Sequence, residues 1–259
     1  MNADTEPAAK PVAGKAIQRQ KMPFKKYKPF QPIKLPDRTW PDQVITEAPR
    51  WCSVDLRDGN QALIEPMSPN EKLKIYNVLV ELGFKEIEVG FPAASQTDFD
   101  FVRLIIEEDL IPSDVTIQVL CQAREELIEK TVEAIQGSQR AIFHLYNSTS
   151  TLQRRVVFRM DKEEVIKLAV VATELVKKYT SVLSDTAVTL EYSPESYTAT
   201  EMEFAVEICA AVMEVWQPQV DDKVILNLPS TVEMATPNIY ADQLEWFIRH
   251  LPQRDKAVI

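Results

Sequence analysis

Glycine supplies only 5 of the 259 residues and histidine only 2. With so few glycines, no G-x-G-x-x-G or G-x-x-x-x-G-K-[ST] loop follows any apolar run, which removes the common nucleotide-binding signatures. Cys52, Cys121 and Cys209 are odd in number and far apart, and no Cys-x-x-Cys occurs. Neither a zinc knuckle nor a disulfide framework is indicated, and three reduced thiols suit a cytoplasmic chain. No apolar run approaches the roughly 20 residues of a membrane span, nor is there the apolar core of a secretory signal. The net charge of -10, from 29 basic and 39 acidic residues, argues against nucleic acid as a partner.

What remains is ordinary globular composition, 45% hydrophobic and 26% charged, which sets aside disorder, collagen and coiled coil. The charge is uneven. Residues 1–28 carry seven basic and two acidic residues, net +5, leaving 22 − 37 = −15 for residues 29–259. With Pro7, Pro11, Gly14 and Pro23 and no apolar periodicity, residues 1–28 read as a flexible basic arm, either a solvated tail or an interaction arm. Residues 29–50 form a lead-in segment, and residues 51–259 the main domain.

Over that domain, short runs rich in Val, Ile and Leu alternate with longer amphipathic stretches. The strands are expected at Ser53–Leu56, Glu86–Phe91, Thr116–Leu120, Arg140–Tyr146, Ala187–Tyr192 and Lys223–Leu228, with a seventh beginning at Ala257–Ile259. Helix starts are expected at the capping box Ser68-Pro69-Asn70-Glu71, at Asp161 to Glu164, at Thr200 to Glu203 and at Thr236-Pro237. Gly83 is placed to stop the first of them. Regular β-α alternation implies a parallel sheet flanked by helices, either doubly wound or closed as a barrel. Polar residues cluster just past several strand ends, which is the barrel pattern, because all βα loops open on one face.

Those strand ends hold the candidate chemistry. Asp55-Leu56-Arg57-Asp58-Gly59-Asn60-Gln61 follows strand one. It is either a surface ion pair on a glycine turn, or a hard oxygen ligand beside a cation that can meet developing negative charge. His144 lies near the end of strand four, as a satisfied core histidine or as a ligand. Glu195 past strand five is a candidate general acid or base. Ser193 and Thr231 offer hydroxyl donors to a substrate carboxylate. His250, at a helix C-terminus, is explained by the helix dipole.

Together these runs resemble the 2-isopropylmalate synthase family. The resemblance rests on Asp55–Gln61, Glu88-Val89-Gly90-Phe91-Pro92, His144–Ser150, Tyr192-Ser193-Pro194-Glu195, and Asn227-Leu228-Pro229 with Thr231-Val232-Glu233. Arg38-Thr39-Trp40-Pro41 and Ala94–Phe101 point to the longer bacterial and fungal type. The likeness covers roughly residues 26–259. It implies a (β/α)8 TIM barrel, here truncated after about six β/α units and the start of strand seven. It further implies condensation of acetyl-CoA with 2-oxoisovalerate to 2-isopropylmalate and CoA in leucine biosynthesis, in a cytoplasmic homodimer. A divalent metal (Mg, Mn or Zn) would polarise the keto group, with Asp58 as a ligand. Arg57 would stabilise the enolate and Glu195 would assist proton transfer. His144, Ser193, Thr231 and Gln61 would bind the oxo acid.

The chain departs from that family in having no His-x-His pair, the family's further metal ligands. Our expectation is therefore an N-terminal catalytic portion, inactive and poorly stable by itself. Two other readings stay open. One is a sister enzyme using another oxo acid, homocitrate or citramalate synthase. The other is a non-catalytic partial barrel acting by association.

Overall fold

The computed structural model describes residues 22–259, so most of the basic arm read over residues 1–28 lies outside the described residues. The backbone separates into two units, Met1–Gln31 and Pro32–Ile259. In the first, the described part holds one 3-10 turn, Phe24–Lys26.

The second unit is built on a seven-stranded sheet, parallel throughout, whose spatial order is the chain order. The strands are β1 (Cys52–Ser53), β2 (Glu86–Gly90), β3 (Thr116–Gln122), β4 (Arg140–Ser148), β5 (Ala187–Glu195), β6 (Val224–Leu226) and β7 (Ala257–Val258). Between them run α1 (Pro69–Glu81), α2 (Gln96–Glu107), α3 (Glu125–Ile135), the single turn α4 (Thr151–Gln153), α5 (Lys162–Thr180), α6 (Met202–Trp216) and α7 (Pro237–His250). Neighbour-to-neighbour order with helical crossovers is barrel topology. The sheet curls into a half-barrel, and among the described residues β1 and β7 do not pair with each other.

Period two sorts the strand residues. Ile87, Val89, Ile117, Val119, Phe143, Leu145, Leu190 and Tyr192 join the helices in one buried core. The alternate positions, among them Glu88, Gln118, His144, Glu191 and Ser193, fall on the other, inner face.

Local chemistry fixes the helix ends. Ser68 and Glu71 form the expected capping box on α1, Asp161 and Glu164 form another on α5, and Pro237 opens α7 behind Thr236. Gly83 follows α1 at φ +93, the left-handed conformation of a helix stop. Several expectations need correction. Helix α6 begins at Met202 with Glu201, not Thr200, in the N-cap position, and no side chain caps it. The Thr200 hydroxyl is engaged elsewhere, with Thr149 Oγ1 at 2.8 Å and Ser196 O at 3.0 Å. The first strand is only Cys52–Ser53, after which the chain turns helical over Asp55–Gly59. Gly59 is not what makes that turn: its φ is not positive, and the nearest atom to an added Cβ is 3.9 Å away. Strands β3, β4 and β5 run past their expected ends to Gln122, Ser148 and Glu195, because the polar residues there stay in register, Ser148 opposite Glu195.

Two polar tethers tie distant parts of this unit together. Arg38 forms a two-bond fork on buried Asp242 of α7, at 2.7 and 2.9 Å, and Trp40 Nε1 donates to the same carboxylate at 2.8 Å. The backbone N–H groups of Thr39 and Trp40 bind Glu245. Separately, the fully buried Lys72 ammonium of α1 donates to Val89 O at 2.8 Å and Asp98 Oδ1 at 2.7 Å, joining α1, β2 and α2.

Candidate active site

At the C-terminal ends of the strands lies a cavity of about 1110 Å³, its open mouth included. Arg57, Asp58, Gln61, His144, Ser193, Glu195 and Thr231 all line it, so every residue singled out from the sequence for chemistry comes to one place. They arrive from two loops and two strands. Arg57, Asp58 and Gln61 come from the helical turn after β1. His144 comes from β4, Ser193 and Glu195 from β5, and Thr231 from the loop after β6.

Arg57 is held on two sides. Its Nε donates to Glu88 and its Nη1 to Asp58 Oδ1 at 2.7 Å. Asp58 is mostly exposed, whereas Glu88 is fully buried. A buried carboxylate is tolerable only when paired and hydrogen-bonded, and Glu88 meets that condition. Besides Arg57, it accepts from Gln118 Nε2 at 2.7 Å and contacts His144 Nδ1 at 2.6 Å. Burial pushes its carboxyl up, but the facing His144 charge and hydrogen bond, with Arg57 and Gln118, outweigh this and hold it down at about 2.

The other ring nitrogen of His144 lies 2.7 Å from Ser193 Oγ and 3.3 Å from Glu191 Oε1. Burial disfavours the His144 charge, yet Glu191 and Glu88 more than offset this and raise it above the ordinary 6.5. Glu191 is raised by burial to about 6, with His144 pulling the other way. Asn227 Nδ2 donates to Ser193 Oγ at 2.8 Å. Glu195 Oε2 accepts from Ser148 Oγ at 2.6 Å. Thr231 Oγ1 accepts from Ser196 N at 3.1 Å, which leaves its own hydrogen free to donate.

Sequence reasoning missed Glu88, Gln118 and Glu191 as members of this network. The available signal was a charged or amide side chain at mid-strand on the inner-face parity, where an unpaired one would be costly.

A divalent ion needs several hard oxygen donors. Among the described residues no group of three or more His, Cys, Asp or Glu side chains is arranged to hold one. Asp58 already shares Oδ1 with Arg57. These residues do not by themselves fit a divalent ion.

Comparison with known proteins agrees with this geometry. The 2-isopropylmalate synthase of Parafrankia sp. (strain EAN1pec) is 63% identical over 239 residues, covering 92% of this chain and 42% of that protein. That of Arthrobacter sp. (strain FB24) is 61% identical over 241 residues, with the same coverage. The chain thus spans about two fifths of the length of these relatives. Among solved structures, the hydroxymethylglutaryl-CoA lyase of Pseudomonas aeruginosa superposes with TM-score 0.55 at 15% identity, over 80% of this chain and 64% of that one. At that identity the likeness speaks to the fold alone, a TIM barrel, as the strand order implied. The HMGL-like family model matches residues 48–259, and with the barrel mouth assembled as described, the chain belongs to the HMGL-like family.

Proposed function

We propose that this chain carries the condensing site of a 2-isopropylmalate synthase, joining the methyl carbon of acetyl-CoA to the keto carbon of 2-oxoisovalerate, after which water hydrolyses the resulting thioester and CoA leaves. The observation that carries the reading is the convergence of Arg57, His144, Ser193, Glu195 and Thr231 on one cavity, in a chain 63% identical to a protein of that name.

The chemistry suits these side chains. The reaction needs an enolate of the acetyl thioester and an oxo acid held beside it. The Arg57 guanidinium, held from two sides and lining the cavity, is placed to stabilise the enolate oxygen. Glu195, steadied by Ser148, assists proton transfer. Ser193 and Thr231 each have their oxygen engaged by a donor, so each can give its hydrogen to the oxo acid's carboxylate, beside His144. Gln61 lines the same mouth. A divalent ion, with Asp58 as one donor, belongs to the reading as a Lewis acid. Because the described donors do not complete a site for it, no step is routed through it.

The test is calorimetric titration of the 259-residue chain with 2-oxoisovalerate, pyruvate and 2-oxoglutarate, with and without Mg²⁺, Mn²⁺ or Zn²⁺. Tightest binding of 2-oxoisovalerate is expected. Preference for pyruvate or 2-oxoglutarate would transfer the chain to a sister enzyme. In a parallel thiol-release assay, the incomplete donor set leads us to expect no CoA release from this chain alone.

A further inference from the structure

The inner face of the sheet carries a continuous line of hydrogen bonds, nearly one side chain per strand. Cys52 on β1 donates to Gln118 Oε1 at 3.5 Å, and Gln118 on β3 donates to Glu88 on β2. Glu88 meets His144 on β4, His144 meets Ser193 and Glu191 on β5, and Asn227 beyond β6 closes the line. The proton positions along it follow from the partners.

At Nδ1 the position is forced. Ionised Glu88 can only accept, and Gln118 Nε2 can only donate. The 2.6 Å contact with Glu88 Oε2 therefore needs a hydrogen on Nδ1; the Gln118 amide gives one of its two hydrogens to that same oxygen at 2.7 Å, and its 3.2 Å approach to Nδ1 is the longer contact. The open question is Nε2. In a neutral ring it would accept from the Ser193 hydroxyl at 2.7 Å, and its lone pair would also face the Glu191 carboxylate at 3.3 Å. With a hydrogen, it donates to Ser193 Oγ at 2.7 Å with Glu191 alongside.

Charge balance points the same way. The groups facing the ring are Glu88 from β2, Arg57 from the turn after β1, and Glu191 from β5, with Glu86 and the neutral Cys52 thiol farther down. Two carboxylates and one guanidinium leave one negative charge uncompensated in a buried site unless a proton is taken up, and His144, raised above 6.5, holds that proton more firmly than Glu191 at about 6.

We infer that Glu191 is a positioning residue: with Glu88 it keeps His144 doubly protonated, and through the Nε2 hydrogen it turns the Ser193 hydroxyl into a donor aimed at an anionic oxygen of the ligand. Ser193 Oγ then accepts from both His144 and Asn227 Nδ2, so its own hydrogen is left for a third partner, and Ser193 lines the cavity. Only the identity of that ligand, an oxo-acid carboxylate, rests on the function proposed above. The protonation state stands on the geometry.

The test exploits the scarcity of histidine. In the intact chain labelled with ¹⁵N-histidine, long-range ¹H–¹⁵N spectra between about pH 5 and 9 resolve the two rings and report each nitrogen's proton directly. Both His144 nitrogens are expected to carry hydrogens at pH 7. Glu191→Gln should lower its midpoint by about one to three pH units, the size of one lost carboxylate neighbour, while the signals of His250 stay in place and report an intact fold. A neutral His144 at pH 7 in the unmodified chain overturns the inference, without reference to any variant. So does a midpoint that Glu191→Gln leaves unmoved. In a second arm, Glu191→Gln and Ser193→Ala should each weaken 2-oxoisovalerate binding several-fold, and the double variant no more than either. Full additivity counts against the link between the two residues. If the unmodified chain binds no 2-oxo acid yet His144 is doubly protonated, the proposed function fails and this inference survives.

Discussion

Glu88 and Glu191 respond oppositely to pH although both are buried on the same inner face. The folded-state value of Glu88 lies near 2, below its ordinary 4.5. Its pairing thus stabilises the fold fully above 4.5, and that contribution drains away as pH falls from 4.5 towards 2. Glu191, raised to about 6, has the reverse sign, so stability declines as pH rises from 4.5 to 6. His144, raised above 6.5, contributes fully below 6.5 and loses its share as pH climbs through its folded value. Urea unfolding midpoints taken across the acid range should therefore fall steeply below pH 4.5, and Glu88→Gln should flatten that limb. An equally steep limb in the variant would mean that some other carboxylate governs acid unfolding. The residues at the strand ends were legible in the sequence, because polar side chains there interrupt apolar runs and sit beside Pro, Ser and Asn. Glu88 and Glu191 were not, because a strand's alternation is indifferent to whether its inner-face residue is a charge or a threonine until the neighbouring strands supply the partner.

Two glycines show how differently one residue type can serve two elements. Gly90 ends β2 where the register with β3 shifts. A Cβ there would stand 3.0 Å from Asp98 Cγ and 3.2 Å from Lys72 Nζ, inside the ion pair that joins α1, β2 and α2. Gly90→Ala is expected to cost about 1–3 kcal/mol through overpacking, whereas Gly59→Ala, whose Cβ would meet Asp55 Cβ at an ordinary 3.9 Å, should cost under about 1 kcal/mol. Paired chemical denaturation of the two variants decides it, and equal costs would rule out crowding at Gly90 as the cause. Helices α1, α5 and α7 were readable from start signals and stripes, since Ser68 and Asp161 satisfy local N–H groups and Pro237 suits a first turn without help from afar. Strand lengths were less so. The continuation of β4 and β5 to Ser148 and Glu195 depends on each strand having the other beside it, and the shortness of β1 depends on the helical turn that claims Asp55 onward.

In the unit as a whole, sheet order repeats chain order, so every strand pairs with one made just before it. The parallel sheet was legible from β-α alternation, the barrel from the polar residues past several strand ends, and the stub-like seventh strand from Ala257–Ile259. The clamp between the lead-in and α7 was not, since nothing local in Arg38-Thr39-Trp40 announces a partner 204 residues away. Asp242 is buried, and Arg38 and Trp40 spend three hydrogen bonds on it. Because so distant a contact closes last, Asp242→Asn should speed unfolding and leave the refolding rate nearly unchanged, measurable in the two arms of a stopped-flow chevron. A slowed refolding arm would place the clamp in the folding nucleus instead. The same separation sets a clock during synthesis. At about 5–20 residues per second, Arg38 leaves the ribosome roughly 10–40 s ahead of its carboxylate. For that interval the lead-in has no surface to lie on, and Trp40 is open to whatever first meets a nascent chain.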